Sequence, residues 1–437
     1  MKPIKVGLLG LGTVGGGTVN VFTRNADEIA RRTGRDIRIT HAAAQRYDPE
    51  RIHGLDQIEV TDDAFAVVNN PDLDIIIELI GGYSPAKELV LQAIENGKHI
   101  VTANKALIAL HGSEIFAAAE KKNVIVAFEA AVGGGIPIIK ALREGMVANR
   151  IEWLAGIING TGNFILTEMR DQGRDFDEVL AEAQFLGYAE ANPTFDVEGI
   201  DAAHKLTIMS SLAFGIPLQF EKTYTEGISR ITQSDVTYAG ELGYRIKHLG
   251  IARKTDTGIE MRVHPTLIPE RRLLANVDGV MNAVLVKGDA VGPTLYYGAG
   301  AGSEPTASAV VADVADVARA LAAGPESRVP YLAFQPGALS DLPILPMEEV
   351  ETSYYLRMQA EDKPGVMARV AGILGEAGIS IEAIQQKEPE EGETHVPLVM
   401  LTHQVQERQM NRALEKIEAL DGINGKVTRI RMEHLEG

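Results

Sequence analysis

Asp201 and Lys205 stand four residues apart in "GIDAAHKLTIMSSLAFG", and Ile208 and Leu212 continue the face they share on an expected helix. A carboxylate and an amine thus head an apolar stripe. On an exposed helix such a pair would be worth only about 0.2–0.5 kcal/mol. The stretch just before it, "YAEANPTFDVEG", argues for more, because Glu190 and Asp196 flank a short loop. Several acids around one lysine suit an amino-acid zwitterion: carboxylates take the ammonium group and the lysine takes an oxygen. Desolvation also lowers a lysine's pKa, so that it can carry a proton near neutrality. His204 points to another helical face and reads as structural.

These residues need a scaffold, and the first 130 residues supply part of it. The runs "IKVGLLG" (4–10), "IRITHAAA" (37–44), "DIIIELI" (74–80), "HIVTAN" (99–104) and "VIVAFEA" (124–130) are apolar throughout and separated by helical lengths. That pattern predicts parallel strands buried on both faces of a doubly wound α/β domain. Gly10, Gly12 and Gly15 spell G-L-G-T-V-G directly after the first strand and before a helix. In this context the first glycine allows a tight turn, the second lets backbone approach a pyrophosphate, and the third packs helix on strand. The helix start then offers amide groups to phosphate. A dinucleotide site of Rossmann type follows.

The second strand runs into "AAAQRYDPE", where Arg46 occupies the place of the usual ribose-binding acid and Asp48 comes too late. A guanidinium there pairs with a 2′-phosphate, so NADP is favoured over NAD. Lys105 follows strand 99–104. Ligands of open α/β sheets bind beyond the carboxyl ends of strands, which places Lys105 near the nicotinamide.

Residues 131–302 read as an α+β unit, with helical patterns near 162–173, 176–187 and 199–214 and β-like "IEWLAGIIN" and "MRVHPTLI". The amphipathic segment 303–321, starting at Ser303, is expected to pack back on the first domain. Five prolines between 325 and 350 mark a linker. Residues 351–437 then read strand, helix, strand, strand, helix, strand around an acidic turn "EPEEGE", a ferredoxin-like βαββαβ unit.

Composition narrows the partners. The 437 residues carry 42 Lys plus Arg against 60 Asp plus Glu, a formal charge of −18 that disfavours nucleic acid and anionic membranes. No run of eighteen apolar residues and no signal peptide is present, so a cytoplasmic protein acting on small molecules is expected. Cysteine is absent, which excludes disulfides, thiolate metal sites and a thioester route.

The chain resembles the homoserine dehydrogenases over nearly its whole length. The blocks "GLGTVG", "TANKALIA", "FEAAVGGGIPIIKALREG", "GIINGTGNFILTEM", "AEAQFLGYAEANPTFDVEGIDAAHKL" and "GAGAGSEPTASAVVAD" carry the likeness, and the terminal βαββαβ unit is similar to an ACT domain. The resemblance implies interconversion of L-aspartate 4-semialdehyde and L-homoserine on the branch to threonine, isoleucine and methionine. It implies Lys205 as proton donor, with Lys105 able to share the role, and Glu190 and Asp201 as substrate contacts. Thr13, Val14, Gly187 and Gly302 match cofactor-contacting positions. Glu129, Val132, Gly134 and Ile136 match a sodium site built from backbone carbonyls. An effector amino acid, L-threonine first, is implied near Gly365, in a homodimer or homotetramer. With no kinase-like segment ahead of Met1, the monofunctional form is expected. Two other readings stand beside it: aspartate-semialdehyde dehydrogenase, excluded by the missing cysteine, and a non-catalytic amino-acid sensor with a relic dinucleotide fold.

Overall fold

The computed structural model describes residues 2–321, 328–387 and 394–436. Pro325 and the acidic turn at 388–393 lie outside the described residues. The chain forms two compact units, one of Met1–Gly160, Asp201–Thr223 and Val280–Leu342, the other of Thr161–Ile200, Tyr224–Gly279 and Pro343–Gly437.

The first unit holds a six-stranded parallel sheet built from β1 (Ile4–Leu9), β2 (Ile37–Ala43), β3 (Glu59–Thr61), β4 (Ile75–Glu78), β5 (His99–Thr102) and β6 (Val126–Ala127), in the order β3-β2-β1-β4-β5-β6. Five of these strands coincide with the apolar runs. The edge strand β3 has only three residues and left no run to read. Helices α1 (Thr13–Arg24), α2 (Ala26–Thr33), α3 (Ala64–Asn69), α4 (Ala86–Glu95) and α5 (Lys105–Lys122) connect the strands. Ile75, Ile76 and Ile77 are fully buried, as a strand covered on both faces requires.

A short α6 (Ile138–Lys140), β7 (Ile151–Ile157), α10 (Ile200–Phe214), β11 (Met281–Gly288), β12 (Gly292–Ala299) and α12 (Ser303–Ala320) complete this unit, with α10 beginning one residue outside it. Strand β11 pairs antiparallel with both β12 and β7. Helix α12 lies along α1: Ser303 Oγ donates to the Thr13 carbonyl at 2.8 Å, and Arg24 grips Glu304 with two hydrogen bonds. Its Val310, Val314 and Val317 join Val6, Leu8 and Val19 in one core.

The second unit contains α7 (Gly160–Gln172), α8 (Phe176–Phe185), α9 (Thr194–Val197), β8 (Tyr224–Thr225), α11 (Gln233–Glu241), β9 (Tyr244–Lys254) and β10 (Ile259–Pro269), Gly160 itself belonging to the first unit. The terminal βαββαβ element follows as β13 (Glu351–Glu361), α13 (Val366–Glu376), β14 (Ile381–Gln386), β15 (His395–Thr402), β16 (Val405–Gln406), α14 (Glu407–Glu418) and β17 (Ile423–Met432). Its four main strands keep the ferredoxin-like order β17-β13-β15-β14.

Parts of the stretch expected as the substrate unit (131–302) pack with the terminal stretch (351–437) inside the second unit. Strand β17 pairs in parallel with β10, matching Thr266 with Arg431 and Leu267 with Met432. Tyr355, Val399 and Ile430 share a core with Ile165, Val236 and Leu267. Three buried charge clusters join the same two stretches, centred on Arg262 with Glu433, Arg431 with Glu226, and Arg357 with Asp235. The proline-rich stretch is not a free tether either. Tyr331 stacks on Phe116 at 4.9 Å, and Ile259 exchanges hydrogen bonds with Pro343 and Leu345.

Candidate active site

Helix α10 is buried along its whole length from Asp201 to Phe214. The Asp201–Lys205 pair is therefore interior rather than a surface pair, with the Asp201 side chain 5% exposed and that of Lys205 10%. Lys205 Nζ donates to Asp201 Oδ2 at 2.7 Å and to the Ile158 carbonyl at 2.7 Å. Lys105 Nζ reaches Asp201 Oδ1 at 2.9 Å, and Asn159 Nδ2 donates to Oδ2 at 2.9 Å. One carboxylate thus holds both lysines. Burial pushes the Asp201 carboxyl up, but the two ammonium groups and the hydrogen bonds outweigh it and hold its pKa well below the usual range. Asp201 is accordingly ionised, and one negative charge sits between two positive ones.

His204 is buried and stacks on Phe220 with ring centres 4.2 Å apart. Burial lowers its pKa to about 4, so the ring is neutral and belongs to the packing, as its helical face suggested.

Lys105 is aimed by a network that sequence reasoning missed. It is the first residue of α5, whose cap Asn104 accepts from the Leu107 N–H and donates to the Gly82 carbonyl. Asn104 N–H donates in turn to Thr102 Oγ1, whose hydroxyl donates to the fully buried Glu78 at 2.7 Å. Glu78 also receives the N–H groups of Ile80 and Gly81. The carboxyl ends of β4 and β5 are thereby tied together just where a ligand of an open α/β sheet binds. The signal in the sequence was Glu78, an acid set inside the apolar part of "DIIIELI".

The glycine loop has the form that phosphate approach needs. Gly10 has φ +95°, and a Cβ on Gly15 would lie 2.0 Å from the Gly10 carbonyl oxygen, so neither tolerates a side chain. A Cβ on Gly12 would meet no protein atom within 4 Å, which leaves its outer side open to a ligand. Thr13 and Val14 begin α1, and Gly302 (φ +118°) caps α12 beside it. Arg46 is exposed in the bend after β2. Asp48 is spent elsewhere, capping the Glu50 N–H and pairing with Arg51 at 3.1 Å.

The loop 129–136 is buried apart from Gly135. The Glu129 carboxylate accepts the N–H groups of Ile139 and Lys140, both at 2.8 Å, and the Glu129 N–H donates to Asp313. Burial raises Glu129 to about 7 and Asp313 to about 8. With the Glu129 side chain engaged, a cation here would be left the loop's carbonyl oxygens, hard donors that suit an alkali ion, beside two acids short of positive charge. No group of three or more His, Cys, Asp or Glu side chains suited to a metal occurs among the described residues.

In the second unit, Gly187 (φ +76°) follows α8 and Glu190 is exposed on the loop after it, its carbonyl held by Gln184. Thr161 Oγ1 donates to the Tyr188 carbonyl at 2.6 Å and fixes the same loop. Asp196 lies half-buried in α9. Glu198 receives the Ser229 hydroxyl at 2.7 Å and is structural.

Three family models match in succession: the homoserine dehydrogenase NAD-binding domain at residues 10–129, homoserine dehydrogenase at 137–315, and the ACT domain at 354–422. A homoserine dehydrogenase of Pseudomonas aeruginosa is 68% identical over 435 residues, covering 100% of each chain. The chain belongs to the homoserine dehydrogenase family. The Neisseria gonorrhoeae homoserine dehydrogenase is 59% identical, again over 100% of both chains. A crystal structure of a Thiobacillus denitrificans homoserine dehydrogenase superposes with a TM-score of 0.95 at 66% identity, covering 100% of this chain and 99% of that one. The protein is an NAD(P)-dependent oxidoreductase of amino-acid biosynthesis with a terminal ACT domain, and the relic-sensor alternative has no support. No helix of the described residues is long and apolar enough to cross a membrane.

Proposed function

We propose that Lys205 is the proton donor when L-aspartate 4-semialdehyde is reduced to L-homoserine, with Lys105 beside it able to share the role. The observation that carries this reading is the single buried carboxylate holding both ammonium groups. A nicotinamide cofactor bound at the glycine loop supplies the hydride. Lys205 neutralises the charge that develops on the aldehyde oxygen, and its bonds to Asp201 and the Ile158 carbonyl keep its Nζ from swinging away. Glu190 takes the substrate ammonium group, with Asp201 and Asp196 as further contacts. Gly10, Gly12, Thr13, Val14, Gly15, Gly187 and Gly302 hold the cofactor.

NADPH is the preferred cofactor, because Arg46 is exposed after β2 while Asp48 is occupied by its own turn. The loop residues Glu129, Val132, Gly134 and Ile136 would hold a sodium ion through their carbonyls, and its charge would offset the burial of Glu129 and Asp313 beside them. L-threonine acts near Gly365, which has φ +90° at the start of α13. The enzyme works in the cytoplasm as a homodimer or homotetramer; strand β12, with Tyr297 exposed, is an edge strand that pairs with β11 alone among the described residues. Light scattering after gel filtration measures the subunit number.

The test is aspartate-semialdehyde-dependent oxidation of NADPH and of NADH, with and without threonine and sodium, for the parent and Lys205→Ala. The reading expects turnover to fall about a hundredfold or more in the variant with cofactor affinity retained. A Lys205→Ala enzyme with parental turnover removes Lys205 from the mechanism.

A further inference from the structure

Arg431, on the last strand of the chain, is 1% exposed and makes two hydrogen bonds to Glu407 of its own ACT element, 2.7 and 2.5 Å long. Its remaining Nη1 donates 2.7 Å to Glu226, which lies more than two hundred residues earlier, just after β8. Tyr224 Oη donates to the same Glu226 oxygen at 2.7 Å and accepts from Arg431 Nη2 at 3.0 Å. Burial raises the Glu226 carboxyl, but Arg431 outweighs it and the pKa is lowered, so the pair is charged. The Glu226 side chain is locked from the ACT side.

Its backbone is locked from the other side. The Glu226 N–H donates to the Val263 carbonyl at 2.8 Å, and His248 Nε2 lies 2.9 Å from the Glu226 carbonyl. A carbonyl can only accept, so that ring nitrogen carries the proton; burial keeps the ring neutral. The next residues then grip the end of α9 and its cap. Ile228 N–H donates to the Val197 carbonyl at 2.9 Å, and Ser229 donates to Glu198 at 2.7 Å. Gly227 lies so close that a Cβ would come within 2.3 Å of the Glu198 carboxylate and 2.6 Å of the Val197 oxygen. Val197 and Glu198 stand in the chain between Asp196 and Asp201.

We propose that Arg431 is a positioning residue for substrate binding, acting through Glu226 and the 227–229 turn to hold the segment that joins Asp196 to Asp201. The inference rests on the assignment of that segment to the substrate. The ACT element thereby completes the substrate site's scaffold as well as carrying any effector response.

The test compares Glu226→Gln and Arg431→Lys in the full-length enzyme, with Asp196→Asn as control. Each is checked for folding by circular dichroism and titrated with NADPH by fluorescence. The expected result is a KM for aspartate semialdehyde raised about tenfold in Glu226→Gln and less in Arg431→Lys, with kcat and NADPH affinity changed by less than about threefold. Aldehyde KM within about twofold of parent in the folded variants overturns the inference. So does a loss spread evenly over kcat, aldehyde KM and NADPH affinity, which marks general destabilisation. If Glu226→Gln does not fold, Arg431→Lys decides by the same criteria. An Asp196→Asn enzyme with unchanged aldehyde KM overturns the assignment of that segment to the substrate, whereas a raised KM there with parental values in the other two overturns only the role of Arg431.

Discussion

Replacing Asp201 with asparagine tests the charge arrangement at the centre of the site. The variant keeps the size and much of the hydrogen bonding but removes the one negative charge between Lys205 and Lys105. Two unit charges 2.7 Å apart attract by roughly 6 kcal/mol at an effective dielectric of about 20. The amide dipole and local relaxation recover some of this; if they recover half, Lys205 loses about 3 kcal/mol of support for its charged form, or about two pKa units. A proton donor works only while protonated, so activity falls as pH rises through its pKa, and lowering that pKa moves the alkaline limb down. The assay is kcat/KM for aldehyde reduction from pH 6 to 10 at saturating NADPH. Asp201→Asn should show its alkaline limb about two pH units below that of the parent, and a substantially lower plateau. A limb that stays where the parent has it, in a folded enzyme, would mean that Asp201 does not set the protonation of the donor. A limb that also persists in Lys205→Ala would assign it to another group.

The remaining predictions address cofactor choice and stability. Arg46→Ala should raise the KM for NADPH by about ten- to a hundredfold and leave that for NADH nearly unchanged, because it removes a charge-assisted contact made only to the 2′-phosphate; equal effects on both cofactors would refute that contact. Asp235 has a fully buried side chain, binds Arg357 at 2.6 Å and closes the capping box of α11 with Thr232, so Asp235→Ala leaves a largely buried guanidinium without that counter-charge, held by the hydroxyls of Thr232 and Thr428. It should cost about 3–5 kcal/mol in urea unfolding, and a loss below about 1 kcal/mol would show that the cluster contributes little. Burial lowers the fully enclosed Lys247 to about 8, although it donates to Asp278 and the Val277 carbonyl. The unfolded chain then holds that proton between about pH 8 and 10.4 while the folded one has lost it, so this group makes stability rise with pH in that window, by up to about 3 kcal/mol. Unfolding at pH 8 and pH 10 should show that rise in the parent relative to Lys247→Met; parallel pH slopes would place the lysine's folded pKa near its unfolded value.

The difference between what the chain announces and what it conceals follows from the range of the interactions involved. A glycine loop, an apolar strand and an i,i+4 pair are local, and each constrains neighbours a few residues away, so Gly10, Gly15, Ile75–Ile77 and the Asp201–Lys205 pair could all be read. Glu78 could be noticed but not interpreted, since the hydroxyl that satisfies it belongs to Thr102 on the next strand. The pairing of the 131–302 stretch with the terminal strands was hidden for the same reason on a larger scale. The stretch's β-like segments were visible, but not that β10 would accept β17 as a parallel neighbour, nor that Asp235 would find Arg357. Parallel pairing leaves no turn signature between the partners, because the connection is long. Charged residues in strands also read as solvent-facing until a counter-charge from elsewhere explains them, and that ambiguity hid Arg262, Arg357 and Arg431. Such residues are costly to bury singly and tolerable only as completed pairs. An arginine fully enclosed on the last strand therefore requires acids placed to meet it, and in this enzyme Arg431 is met by Glu407 of its own element and by Glu226, on the turn that holds Val197 and Glu198.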